Sequence, residues 1–237
     1  MTSTNEWVSQ HASVLPSDTL VFTLNQTAGK GRNGRVWAAL PGESVAISLL
    51  FDGVPRGIFP TWVPLLAGVS VVETVRTLGV STPSLKWPND VLVDGAKLAG
   101  ILVEVLPDSR VVVGLGLNLA SSATSLPHPT ATSLALQGVV VSDLERDVLQ
   151  PVALALRGYL DIARDKKPAE VHSEWRGIVS AHLSTLGCLV EWQDSEGITQ
   201  RGIAQQLAAD GGLVVSGSPG QEDVIVRSGD VFHIERS

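Results

Sequence analysis

Gly29, Gly31 and Gly34 alternate with Lys30, Arg32 and Arg35 between Gln26 and Trp37. Glycine lets backbone N–H groups come close to a ligand, and the interleaved cations supply charge to a phosphate or carboxylate. The stretch therefore reads as an anion-binding loop between two strands. It is not the phosphate loop of nucleotide hydrolases, which needs Gly-Lys-Ser/Thr opening a helix; here Arg35, Val36 and Trp37 follow Gly34. A basic solvated loop or an Arg-Gly nucleic-acid segment would have the same composition. The chain as a whole argues against the latter. Its formal net charge is −7, with 17 Lys and Arg against 24 Asp and Glu, and an acidic chain is a poor general polyanion binder. The positive charge is local, which suits a small anion.

Other polar groups interrupt apolar sequence. Lys86, Trp87, Pro88, Asn89 and Asp90 are consecutive; proline holds the residue before it extended, so the polar groups sit on a stiff element. A strand-edge turn with a satisfied Asn-Asp pair accounts for them equally. Lys97 lies in an apolar strand pattern and Gly100 follows it. A lysine there is either paired and functional or reaches solvent past the turn. A strand glycine marks a close approach of backbone or ligand. Gly114 and Gly116 precede Asn118, but the third glycine and the helix of a dinucleotide fingerprint are missing, so this is a closely packed strand end. The five histidines show no metal-ligand spacing. No Gly-x-Ser-x-Gly nucleophile motif is present. Cys188 is the single cysteine, which excludes an internal disulfide.

These groups need a framework, and 237 residues with 44% hydrophobic content supply a sizeable core. Mean hydropathy is +0.22. Ser3, Thr4 and Asn5 form an N-cap signal for a helix over 6–14. Strands are expected at 19–25 and at 44–51, the latter apolar enough to be buried on both faces. A helix over 59–78 carries Pro60 in its first turn, and Pro64 moves its true start towards Trp62. Strand 91–93 turns at Asp94-Gly95 into a strand from 97 to 106, and another runs from 110 to 119. Helices follow at 142–165 and 169–181. Short strands at 186–192, 199–207, 212–216, 223–227 and 231–235, separated by glycine-rich turns, predict a small β-barrel. The expected fold class is α+β, a mixed sheet flanked by helices with a C-terminal barrel. No signal peptide and no span of ~20 apolar residues is seen, so the expected location is cytoplasmic.

In this order the segments resemble the biotin protein ligase (biotin–[acetyl-CoA-carboxylase] ligase) family. Gly29 to Trp37 matches its glycine-rich loop, Lys86 to Asp90 its Lys-Trp-Pro-Asn-Asp, and Lys97 to Glu104 its Lys-Leu-x-Gly-Ile-Leu-x-Glu. Ser3 to Asn5, Gly114 to Asn118 and Thr132 to Leu134 also match. The likeness is strong over 2–133 and looser beyond. It implies a catalytic domain over 1–183 and an SH3-like domain over 184–237. It implies the monofunctional type without an N-terminal DNA-binding domain, acting as a monomer or a ligand-dependent homodimer. Lys30 stands where the family often has arginine, and Asn33 where some members have another. Charge is kept at Lys30 while bidentate geometry is lost.

The resemblance further implies a reaction. Biotin and ATP, with Mg2+, give biotinyl-5′-AMP, and biotin passes to a lysine of a biotin carboxyl carrier domain. Arg32 and Lys97 would neutralise the carboxylate and α-phosphate, with Lys86 and Asp90 in the catalytic group. Ser3, Thr4, Asn5, Gln26, Lys30, Gly31, Arg32, Lys97 and Gly100 would bind biotin. Lys30, Arg32, Arg35, Trp37, Asn89 and Asn118 would bind the nucleotide. No metal ion held by protein ligands alone is expected, and no enzyme nucleophile is needed. The glycine content of 30–36 predicts a loop that is poorly ordered without ligand and closes over the adenylate. A lipoate ligase shares this chemistry but lacks the Lys-Trp-Pro-Asn-Asp signature.

Overall fold

The computed structural model describes residues 1–53, 57–194, 196–217 and 222–234. Helix α1 (Thr4–His11) is capped by Ser3, whose hydroxyl accepts from the Glu6 N–H at 3.4 Å. Six strands then form one antiparallel sheet: β1 (Thr19–Thr23), β4 (Ser44–Phe51), β5 (Pro83–Lys86), β6 (Asp90–Val93), β7 (Ala96–Val105) and β8 (Val111–Asn118). Their order is β1-β4-β8-β7-β6-β5. The basic loop is itself a small hairpin, β2 (Gly29–Lys30) paired with β3 (Val36–Trp37) around a tight turn at Arg32–Gly34.

Alternation along the central strands gives each face its own task. Val45, Ile47, Leu49 and Phe51 of β4 enter the main core, as do Val111, Val113, Leu115 and Leu117 of β8. They pack under α2 (Val63–Thr77), α3 (Gln150–Asp165) and α4 (Pro168–Ser180). On the other face Leu50 and Val112 pack with Val8 and Ala12 of the α1 region. So β4 is buried throughout, as its composition predicts, though its neighbours run antiparallel. The same even-numbered face also carries Ala46, Ser48, Gly114 and Gly116. They form a patch with too little side chain to fill the space above it.

Differences from the sequence reading are local. Pro60–Trp62 forms a 3-10 turn and the α-helix starts at Val63, which leaves Pro64 in the first turn where its missing N–H costs nothing. The helix expected from Ser142 begins as a π turn at Glu145–Leu149 before α3. The hairpin β2–β3 and strand β5 are additions; β5 is four residues long and starts on a proline, so its pattern is too short to read.

The C-terminal strands β9 (Leu189–Gln193), β10 (Thr199–Leu207), β11 (Leu213–Val215), β12 (Val224–Val226) and β13 (Phe232–His233) form a sheet of order β12-β11-β10-β9-β13. Among the described residues β12 and β13 are not paired with each other, so the sheet is open rather than a closed barrel. Ser195, the turn Ser218-Pro219-Gly220 and the last residue expected in a strand, Glu235, lie outside the described residues. Two indole N–H groups tie the turn between β10 and β11 to the rest of the chain: Trp62 Nε1, in the turn before α2, donates to Ala209 O at 3.0 Å, and Trp87 Nε1, in the turn between β5 and β6, to Gly211 O at 3.1 Å. Each bond contributes about 1 kcal/mol, and a buried donor left alone would cost more. Among the described residues no helix is long and apolar enough to cross a membrane.

His233, at the seam, lies 3.1 Å from Thr185 Oγ1 through Nε2. Burial, then the nearby Lys86 ammonium, holds its pKa below 6.5. The folded protein therefore resists protonating it more than the unfolded chain does. The stability it contributes is complete above pH 6.5 and is lost as pH falls through the folded-state value. Urea denaturation at successive pH values is expected to show a smaller acid-side decline in His233→Gln than in the parent. An identical decline would remove His233 as a source.

Candidate active site

A cavity of about 140 Å³ opens on the even-numbered sheet face, between α1 and the glycine hairpin. Its floor is a set of cross-strand partners: Ala46 opposite Gly116, Gly116 opposite Gly100, and Leu102 opposite Gly114. Small residues there are a steric requirement. A Cβ on Gly116 would lie 2.5 Å from Cε2 of the Trp37 indole, and one on Gly100 would lie 3.1 Å from Cζ3 of that ring. Trp37 thus lies on a two-glycine floor. Its Nε1 is buried without a hydrogen-bond partner among the described residues.

One wall is polar and fixed. Asn5 is buried; its Oδ1 accepts from Ser48 Oγ at 2.6 Å, and its Nδ2 donates to Glu104 Oε2 at 2.8 Å and to Leu102 O at 3.3 Å. The Thr4 backbone N–H donates to Gln26 Oε1 at 2.9 Å, and its hydroxyl to the same oxygen at 3.3 Å. These bonds aim the amides of Asn5 and Gln26, and both residues line the cavity with Ser3 and Thr4. Ser48 was not legible as a partner, because an isolated serine in an apolar strand carries no signal of what it faces. Glu104 lies in the motif beginning at Lys97, but nothing in the spacing pairs it with Asn5.

The other wall is cationic. Arg32 Nη1 donates to Asn89 Oδ1 at 3.1 Å, and Asn89 Nδ2 donates to Ile101 O at 2.8 Å. Burial weakens the hold of Arg32 on its proton and Arg35 adds to this, while Asp230 and Asp90 oppose it. Lys97 Nζ pairs with Asp90 Oδ1 at 2.6 Å and lies 5.7 Å from the Trp37 ring centre. A bulge makes this possible. Asp90 pairs with Gly100, and Lys97 is three residues from Gly100, so a regular strand would put them on opposite faces. The register shifts between Val91 and Leu92, whose partners are Ala99 and Lys97. The extra residue turns Lys97 to the cavity side.

The hairpin tip accounts for Asn33. It adopts φ 54° and ψ 35°, in the left-handed region that asparagine enters more readily than arginine does. Lys30 pairs with Glu6 at 3.4 Å, and Arg35 with Asp230 of the C-terminal sheet at 2.7 Å.

Nine residues of the sequence-predicted biotin set, Ser3, Thr4, Asn5, Gln26, Lys30, Gly31, Arg32, Lys97 and Gly100, all line this one cavity, and Arg35, Trp37 and Asn89 join them. Asn118 does not. It lines an adjoining cavity of about 260 Å³ together with Asp90, Lys97, Arg35 and Trp37, and its amide donates to Thr132 O at 2.9 Å. Lys86 lines neither. Its ammonium lies 5.8 Å from the Phe232 ring centre. Burial lowers its pKa, assisted by Lys97 and Arg35 and opposed by Asp90 and Asp230.

Comparison with known proteins bears on the family and the fold. The biotin/lipoate A/B protein ligase family matches residues 1–118, the segment that holds every lining residue of the first cavity. The biotin–[acetyl-CoA-carboxylase] ligase of Mycobacterium tuberculosis H37Rv is 35% identical over 217 residues, covering 89% of this chain and 77% of that protein. The bifunctional ligase/repressor BirA of Bacillus subtilis 168 is 36% identical over 127 residues, but the match covers 50% of this chain and 39% of that protein. The biotin protein ligase of Aquifex aeolicus, solved in complex with biotin and ATP, superposes with a TM-score of 0.80 over 98% of this chain and 94% of that one, at 24% identity; this likeness is one of fold. By identity and coverage the chain belongs to the biotin/lipoate A/B protein ligase family, among its biotin protein ligases, and is an enzyme of the ligase class.

Proposed function

We propose that the chain activates biotin with ATP and transfers it to a lysine of a biotin carboxyl carrier domain. The observation that carries this is the joining, in one cavity, of a fixed amide wall with the cations Arg32 and Lys97. Biotin and ATP are both anions, and their reacting groups repel until cations stand between them. In the first step a carboxylate oxygen of biotin attacks the α-phosphorus. The bond from that phosphorus to the bridging oxygen breaks, and pyrophosphate leaves with its electron pair. Arg32 and Lys97 stabilise the charge gathered at that centre. In the second step the carrier lysine amine attacks the acyl carbon, AMP departs and the amine loses a proton.

The remaining roles belong to the same reading. Ser3, Thr4, Asn5, Gln26 and the Gly31 backbone hold biotin, while Lys30 and Arg35 contact the phosphates. Trp37 and Asn118 lie beside the adenylate, and the orphaned indole N–H of Trp37 is a donor for it. Asn89 fixes Arg32, and Asp90 fixes Lys97. Lys86 acts at longer range through its charge. Mg2+ enters as part of the substrate, on the phosphate oxygens of ATP. The hairpin at 30–36 closes over the adenylate, and the C-terminal domain assigned to 184–237 is of the SH3-like kind, with Asp230 reaching Arg35.

Biotin-dependent exchange of labelled pyrophosphate into ATP tests the reading, with lipoate as control acid. Exchange with biotin and none with lipoate is the expected result. Exchange with lipoate alone, or with neither, would overturn it.

A further inference from the structure

Asp230, in the C-terminal lobe, places a side-chain carboxylate against a cation of the candidate active-site cavity. It pairs directly with Arg35 at 2.7 Å, and its charge acts on Arg32 and Lys86 as well. The other carboxylate beside these cations, Asp90, is taken up by Lys97 at 2.6 Å. Strand β13 holds Asp230 in place, since Phe232 and His233 pair with Glu191 and Val190 of β9. The Phe232 ring lies near Lys86, and His233 contacts Thr185. The carboxylate thus occupies the position of a counter-ion for Arg35, in a lobe that is remote in sequence from the glycine hairpin.

We propose that Asp230 is a positioning residue that sets the affinity for nucleotide by competing with its phosphates for Arg35. This rests on the reading of the cavity as an ATP site. The Arg35 and Asp230 side chains are 58% and 31% exposed. An ion pair so open to water is weak, so a polyphosphate displaces it. Once the phosphates are bound, Asp230 is a like-charged neighbour, which limits ATP affinity and favours pyrophosphate leaving. Biotin, whose carboxylate is placed between Arg32 and Lys97, meets no cation that Asp230 pairs with directly and feels only its longer-range charge.

The test is Asp230→Asn, which keeps shape and removes charge, in the full chain. Calorimetric titration with ATP is expected to give a Kd lower by about 3-fold, the size an exposed pair allows. The gain should vanish in high salt, where such pairs are screened. The KM for ATP should fall by more than the KM for biotin, because the direct pair is with Arg35. Asp230→Glu, which keeps the charge but not the shape, should stay closer to the parent than Asp230→Asn, which a merely structural role for the side chain would not give. Equal or weaker ATP binding by Asp230→Asn would overturn the proposal, as would a gain that persists at high salt. Tighter ATP binding without any biotin-dependent exchange in the parent would keep the counter-ion role and reject the ligase reading. No ATP binding by either protein would reject both.

Discussion

Lys97→Met is expected to slow biotin-dependent pyrophosphate exchange by about 10²- to 10³-fold, the usual loss when a donor aimed at developing charge is removed. Methionine keeps the apolar stem and deletes only the ammonium, which pairs with Asp90 and lies over Trp37. The fold should survive. The Asp90 side chain is 26% exposed and the Lys97 side chain 37%, so the carboxylate left behind can turn to water, and the stability change should stay within about 1 kcal/mol. Exchange kinetics beside urea denaturation separate the two effects. If the variant exchanged at a rate within about tenfold of the parent, Lys97 would not be the group that neutralises the reacting centre. Arginine at this place is not expected to rescue fully, because its planar fork has a different reach.

Gly114→Ala has the largest expected effect on biotin binding. A Cβ there would meet Asn5, 2.7 Å from its Cγ and 2.8 Å from its Nδ2, as well as its Oδ1. Asn5 cannot yield cheaply, because Ser48, Glu104 and Leu102 hold its amide. Driving it aside leaves buried polar groups unpaired, at a cost of about 2 kcal/mol. Biotin affinity is expected to fall on the order of 100-fold as the fixed wall is lost. Calorimetric titration with biotin measures this directly. Adding Asn5→Ala to Gly114→Ala should relieve the steric clash but leave Ser48, Glu104 and Leu102 without their amide partner, so biotin affinity should not recover. Recovery of biotin affinity in the double variant would show that Asn5 serves only the fold.

Both predictions depend on relations that the sequence shows only in part. The glycines at 29, 31 and 34 and the cations between them single out this loop from residue type alone, in a chain that is acidic as a whole. The apolar strand at 44–51 and the helix after Pro60 are likewise plain, since hydrophobic period and proline position are local properties. Asn33 looked like a departure from its family. The backbone makes it a fit, because its left-handed turn suits asparagine.

Other features needed the tertiary structure. Lys97 and Asp90 could be suspected separately, but a regular strand would have put them on opposite faces; the bulge that joins them leaves no mark in the side-chain pattern. The contact between Gly114 and Asn5 spans 109 positions, and that between Arg35 and Asp230 spans 195. Lys86 belongs to the same motif as Asn89 and Asp90, yet it lines neither cavity and instead faces Phe232. The sequence by itself marked the long helices, the longer strands and the polar residues set among them, because composition and period act over a few residues. Which of those residues meet, and which carboxylate answers each cation, was decided by sheet register and by the C-terminal lobe, where the partners are far apart along the chain.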